Sequence, residues 1–345
     1  MPEVTDEGVT WRLADAAGAY AAVRLQLPLD LGDTAFRRNG EGWVLTRPRP
    51  PLSRLEYLLE VTRADGGTET IPDPHNPARV CGAFGDKSVL ELPGYAPPWW
   101  LDAPALAGTT RDLEITSRPL RAPVRVTLWS PQDAPAGEPL PLLAAHDGPE
   151  YDRFSSLTRY SGALILAGRL PRHRVALLHP GPRDERYSAS ASYARAVAGE
   201  VLPAIAEAVA VEGGVVGMGT SLGGLAMLHL QRRHPDALDG LFLQSSSFFI
   251  PRHDHMAAGF SRFGRIVRFV REVLRAEEFE RPVPAALTCG ACEENLDNNR
   301  RVTAALRLQG YDATLHELAD LHNYTAWRDA FDPHLTGVLR RTWGA

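Results

Sequence analysis

Short runs of alternating apolar and polar residues fill the first hundred positions, at 21–27, 42–46 and 54–61. A period of two is the strand period. Turn-forming clusters at 31–33, 38–41 and 63–68 separate the runs. Several strands at that spacing, with little helical period among them, predict a small β-sandwich. The stretch 72–77, Pro-Asp-Pro-His-Asn-Pro, carries too many prolines for a hydrogen-bonded ladder and reads as an ordered loop. Residues 92–100, with three prolines and Tyr95, Trp99 and Trp100, read as a stiff linker whose aromatics dock on one domain or the other.

From about Arg111 the pattern changes. Apolar strand candidates lie at 124–129, 141–145, 175–178, 214–218, 241–244, 285–288 and 313–316. Helical stretches fall between the later ones, at 193–209, 225–234, 302–308 and 324–339. The run 163–167 is a buried strand or helix. Short apolar strands alternating with helices predict a mostly parallel sheet covered on both faces. The boundary is expected near residue 105, giving a β-sandwich domain at 1–105 and an α/β catalytic domain at 106–345.

Bulk properties narrow the class. The 345 residues are 44% hydrophobic and 23% charged, a composition that excludes bulk disorder. Lys+Arg 37 against Asp+Glu 42 gives 37 − 42 = −5, which argues against a nucleic-acid binder. Lys87 is the only lysine, which reads as codon bias of a GC-rich genome. The acidic, polar start has no secretory character, and no run approaches the roughly 18 apolar residues of a membrane span. Three cysteines, Cys81, Cys289 and Cys292, are too few for a disulfide framework. The expectation is a soluble cytoplasmic protein with no membrane partner; its oligomeric state is open.

The most informative residues are Gly219-Thr220-Ser221-Leu222-Gly223, a G-x-S-x-G entered from a buried strand and left through a helix former. This context is that of a nucleophile elbow. The serine occupies a tight turn, and glycines two before and two after it relieve the crowding. The Leu222 amide at the helix start can donate to an oxyanion. An α/β-hydrolase orders its triad as nucleophile, acid, histidine. Of the later histidines, His229 and His234 lie in the elbow helix and His316 inside a strand. His322 follows the last strand, where a general base can reach Ser221. The preceding loop offers Glu293, Glu294 and Asp297 as the acid, with position favouring Glu293 over Glu294. Cys289-Gly-Ala-Cys292 closes a late strand, so it is read as structural, not as a redox or zinc motif.

In this order the residues resemble the enterochelin esterase-like branch of the esterase D family. The shared features are the Asp-Pro-x-Asn-Pro loop at 73–77, Gly85-Asp-Lys-Ser-Val-Leu90 before Pro-Gly-Tyr at 93–95, and Asp147-Gly148. They continue with Gly219-Thr-Ser-Leu-Gly-Gly224, Gly290-x-x-Glu293, His322-Asn and Trp327-Arg328. The resemblance implies an α/β-hydrolase domain behind an immunoglobulin-like sandwich. It also implies a serine esterase with Ser221, Glu293 and His322 as its triad, and a second oxyanion donor in the Asp147-Gly148 loop. No cofactor or metal is implied. Pro149 has no N–H, so that donor is Gly148 or Glu150; the site assignment takes Gly148. Asp320-Leu321 stands where the family places two glycines, and its R-x-x-E-Y pattern reads Arg183-Asp-Glu-Arg186-Tyr187.

Enterochelin esterases cleave catecholate trilactone siderophores, whose ferric complexes are anionic. Arg262, Arg265 and Arg268, at helical spacing, are the candidate substrate-binding cations, set against a solvated-face reading of the same helix. The partner expected is thus a small-molecule ester, in this reading a ferric catecholate. The alternatives are a general small-ester esterase, an acyltransferase on the same scaffold, and a catalytically silent binding protein.

Overall fold

The computed structural model describes every residue except Phe84 and Ala345, and only the backbone of His255 and Met256. The chain divides into two compact units, Met1–Ala96 with Ala319–Asn323 and Pro97–Leu318 with Tyr324–Ala345. The first unit is a β-sandwich. Its strands are β1 (Glu3–Val4), β2 (Gly8–Ala14), β3 (Tyr20–Gln26), β4 (Arg37–Asn39), β5 (Gly42–Pro48), β6 (Arg54–Arg63), β7 (Thr68–Ile71), β8 (Arg79–Gly82) and β9 (Gly85–Glu91). They form two antiparallel sheets, β1-β2-β5-β4 and β3-β6-β9-β8, with β7 beside β6. Alternation on β2 buries Val9, Trp11 and Leu13 while Arg12 stays in water. Trp11 meets Tyr57 of the other sheet edge-on, with centroids 6.1 Å apart. The proline-rich loop is ordered by polar bonds: the Tyr57 hydroxyl donates to Asp73 (2.7 Å), and Asn76 donates to the Val89 carbonyl (2.7 Å).

The second unit is an α/β-hydrolase domain. Strands β10 (Gly108–Ser117), β11 (Ala122–Pro131), β12 (Leu140–His146), β13 (Arg174–Leu178), β14 (Val211–Thr220), β15 (Gly240–Gln244), β16 (Ala285–Gly290) and β17 (Ala313–Leu318) form one sheet, in the order β10-β11-β13-β12-β14-β15-β16-β17. Pairing is antiparallel from β10 to β13 and parallel from there on. The β10 strand escapes sequence reading because it is an exposed edge of mostly polar residues. Along β12, Leu142 and Ala144 join the core on one face of the sheet, and Leu143 and Ala145 join the core on the other. Helices cover both faces: α1 (Gly148–Ser155), α2 (Leu157–Leu166), α3 (Arg183–Tyr187), α4 (Ala191–Ala196), α5 (Leu202–Ala208), α6 (Leu222–Arg233), α7 (Phe263–Arg275), α8 (Leu296–Leu308), α9 (Tyr324–Asp329) and α10 (Thr336–Trp343).

Two expected helices are interrupted. A π turn at Val197–Val201 joins α4 to α5. The stretch 324–339 breaks at Asp332, which is extended (φ −113°, ψ 117°) because it precedes Pro333. The run 163–167 lies at the end of α2. Trp100 of the linker is fully buried in this unit, against Tyr160 and Phe331. No helix among the described residues is long and apolar enough to cross a membrane.

Strand order places the site. The chain passes from β12 outward to β13, then returns to lay β14 on the opposite side of β12. Open α/β sheets leave a crevice at such a switch point, beyond the carboxyl ends of the strands. The loops that leave β12 and β14 there begin with Asp147 and Ser221.

Candidate active site

Ser221 stands between β14 and α6 with φ 54° and ψ −122°, a backbone conformation costly for a residue with a Cβ. Its surroundings impose it: the Ser221 amide donates to the Gln244 carbonyl (2.9 Å), and its own carbonyl accepts from Ser247 (3.1 Å). A Cβ on Gly219 would lie 2.5 Å from the Gly223 backbone, and one on Gly224 would lie 2.2 Å from Ser246 Oγ. Gly219 and Gly224 are therefore required by close approach, while a Cβ on Gly223 would press on His146 at 3.2 Å. The Ser221 hydroxyl is half-buried and lies 3.1 Å from Ser247 Oγ. Leu222 opens α6, where backbone amides have no intrahelical carbonyl to bind.

On the neighbouring strand, Asp147 is left-handed (φ 50°) and Gly148 opens α1. A Cβ on Gly148 would lie 2.3 Å from Leu177 Cα, so only glycine lets this loop press on β13. The Asp147 amide donates to the Tyr187 hydroxyl (3.1 Å), and its carboxylate is gripped by Arg183. His146, fully buried beside Tyr187, donates Nδ1–H to the Gly223 carbonyl (3.0 Å). Burial, reinforced by the charge of Arg183, holds its pKa down to about 4, so it is a neutral strut.

The acidic loop after β16 treats its three carboxylates differently. Glu293 Oε1 accepts from the Gly290 amide and from Ser245 Oγ, both at 2.7 Å. Ser245 in turn accepts from Trp327 Nε1 (3.0 Å). Glu294 is exposed, and Asp297 is exposed and paired with Arg300 (2.9 Å). Cys289 is buried, its thiol pushed up chiefly by burial and bonded to Asn295, which makes it inert.

His322 is exposed, in the loop Ala319–Asn323 that follows β17 and belongs to the first unit. Its neighbours on either side are anchored there. Buried Arg54 donates to Asn323 Oδ1 (2.7 Å) and lies 3.4 Å from Asp320. Asp320, its carboxyl raised by burial, also accepts from the Leu321 amide and from Asn323. Asp-Leu thus replaces the two glycines with a loop pinned by an arginine.

Of the three candidate arginines, Arg262 precedes α7 and Arg265 and Arg268 lie on it. Arg262 and Arg265 both pair with Glu185 of α3, and Arg265 also donates to the Ser188 carbonyl. Arg268 is exposed. Arg265 and Arg268 line a cavity of about 570 Å³ with His229, Arg233 and Arg186, and neither Ser221 nor Glu293 is among its walls. Sequence reading overlooked Ser245 and Ser247. The available signal was three serines in a row directly after a buried strand, at the carboxyl edge of the sheet.

A sequence model of the family described as "Putative esterase" matches residues 117–338. No curated protein is similar enough in sequence to match. The ferric enterobactin esterase of Salmonella typhimurium is similar in structure, with a TM-score of 0.79 at 21% identity over 99% of this chain and 96% of that one. An enterochelin esterase from Shigella flexneri superposes with a TM-score of 0.77 at 21% identity, covering 99% and 95%. A ferulic acid esterase reaches a TM-score of 0.57 at 19% identity, covering 70% of this chain and 99% of that one. At these identities the likeness is one of fold.

Proposed function

The chain belongs to this esterase family and is a carboxylic ester hydrolase, and on that premise we propose that it works as a serine esterase with Ser221, His322 and Glu293 as its triad. Ser221 Oγ attacks the ester carbonyl carbon while His322 takes its proton. The C–O bond to the alcohol breaks, and the proton on His322 goes to the leaving oxygen. Water, deprotonated by the same imidazole, then hydrolyses the acyl-Ser221 ester. Glu293 orients the imidazole and stabilises its charged form. The oxyanion is held by the amides of Leu222 and Gly148, each at a helix start. The observation that carries this reading is the strained backbone of Ser221, wedged between Gly219 and Gly223 on a strand-to-helix turn. Strain of this kind persists where the surrounding structure over-determines it.

Within that class, the substrate we favour is a catecholate trilactone. The enterobactin esterase likeness extends over both units, including the sandwich, whereas the ferulic acid esterase covers 70% of the chain. One of the similar Shigella structures was solved in the presence of enterobactin. The test is hydrolysis of p-nitrophenyl esters, feruloyl esters and a catecholate trilactone, with and without iron, by the parent and by Ser221→Ala. Loss of all hydrolysis in the variant, with a fluorophosphonate probe labelling Ser221 in the parent, is the expected result. Activity within tenfold of the parent would remove the nucleophile. Turnover confined to feruloyl or simple esters would remove the trilactone reading alone.

A further inference from the structure

The loop leaving β15 carries Ser245, Ser246 and Ser247, and its outer hydroxyls face two different groups of the site. Ser247 Oγ lies 3.1 Å from Ser221 Oγ, and Ser245 Oγ donates to Glu293 Oε1 at 2.7 Å. The middle residue has its hydroxyl beside Gly224 of α6, and its backbone is tied to Asn299 of α8 through N–H to Oδ1 (3.2 Å) and Nδ2 to C=O (3.0 Å). Ser245 is held with φ 45°, a conformation rare outside glycine. Its amide donates to Thr288 (2.7 Å), and its carbonyl accepts from Asn295 (2.8 Å).

Ser245 Oγ is buried between two partners that dictate which way its proton points. The indole N–H of Trp327 can only donate, so it takes a lone pair of Ser245 Oγ, at 3.0 Å. The hydroxyl proton is thereby directed to the carboxylate. With the Gly290 amide on the same oxygen, Glu293 Oε1 has two donors. A carboxylate held through one oxygen presents the other in a fixed direction.

Resting on the serine-triad reading above, we propose that Ser245, anchored by Trp327, is the positioning residue of the acid: it locks Glu293 through Oε1 so that Oε2 is presented to the catalytic imidazole. A buried chain of hydrogen bonds is stiffer than its separate links. An acid whose direction is lost leaves the imidazole in the wrong orientation, which lowers turnover without touching substrate binding.

The test uses the full-length enzyme, a p-nitrophenyl ester, and four variants: Ser245→Gly, Trp327→Phe, Glu293→Gln, and Ser245→Gly combined with Glu293→Gln. Glycine suits the positive φ, and phenylalanine keeps the ring while deleting the donor. Ser245→Gly is expected to lower kcat about 10- to 100-fold with KM within about twofold, and Trp327→Phe to lower kcat about 3- to 10-fold. On the Glu293→Gln background, Ser245→Gly should change kcat by less than about twofold, because its only catalytic route is already cut. Multiplicative losses in the double variant, or a kcat within twofold of the parent in both Ser245→Gly and Trp327→Phe, would overturn the proposal while leaving the triad intact. If Glu293→Gln alone keeps kcat within tenfold of the parent, the acid assignment itself falls, and the role of Ser245 with it.

Discussion

Arg183 Nη2 lies 2.7 Å from Asp147 Oδ2, and Arg183 Nε lies 2.9 and 3.1 Å from the two carboxylate oxygens. The pair joins α3 to the left-handed residue that starts the loop after β12. The Asp147 side chain is almost completely buried, while a third of Arg183 (34%) remains in water. Removing the cation strands a buried charge. Arg183→Leu is therefore expected to cost about 2–3 kcal/mol of stability, less than for a fully buried pair because of that exposure. Adding Asp147→Asn should return part of the loss. Urea denaturation measures both, and equal midpoints for the single and double variants would show that the pair does not hold the loop.

The three carboxylates after β16 should separate cleanly in kinetics. Glu293→Gln is expected to lower kcat roughly 10²–10⁴-fold, the scale of losing the carboxylate that orients a catalytic histidine. Glu294→Gln and Asp297→Asn, both at exposed positions, should stay within about threefold. A larger loss for Glu294→Gln than for Glu293→Gln would reassign the acid.

Acid should destabilise the fold through buried histidines, and His173 isolates one of them. Its ring is fully buried near Trp129 and Trp343, with Nδ1 bonded to the Pro171 carbonyl. Burial holds its pKa down to about 4. An unfolded histidine titrates near 6.5, so between those values the unfolded chain binds the extra proton. Stability is full above about pH 6.5 and is lost as pH falls toward 4. From pH 7.5 to 5.0 the parent should lose about 2 kcal/mol through this residue. In His173→Phe that share of the loss should vanish, as read from urea midpoints at the two pH values. An unchanged pH dependence would mean that His173 does not titrate as assigned.

The arginines of α7 bear on the substrate. Arg262 and Arg265 share the single carboxylate of Glu185, whereas Arg268 is exposed and is the charge to test. If ferric catecholates meet this helix, Arg268→Gln should raise KM about 3- to 10-fold for the iron complex and leave a neutral ester unchanged. The difference should shrink with added salt, because exposed charges are screened over about 8–10 Å. The same fold-change in KM for both substrates at low salt would mark the helix as a solvated surface.

Features decided over a few residues could be read from the chain alone. Alternation in β3, which buries Val23 and Leu25, and the buried run of β12 follow from which face of a strand meets the core. The nucleophile elbow follows from local crowding, since a serine with glycines at both second neighbours fits few other turns. The helical period of α7 predicts an apolar face of Phe263, Val267, Val270 and Leu274; Val267 and Val270 are buried, Phe263 and Leu274 only half-buried. Partnerships across long stretches of sequence could not be read this way. Ser245 and Glu293 are 48 positions apart, Trp327 and Ser245 are 82 apart, and Arg54 and Asn323 are 269 apart. They meet because β15 lies beside β16 and because the loop Ala319–Asn323 packs with the sandwich, and neither adjacency is encoded in a local period. Likewise α7 announced its row of cations but not Glu185, 80 positions away from Arg265. The hydrophobic pattern fixes which side of an element is buried; strand order and loop packing, set by the whole core together, decide which polar groups meet at the sheet's edge.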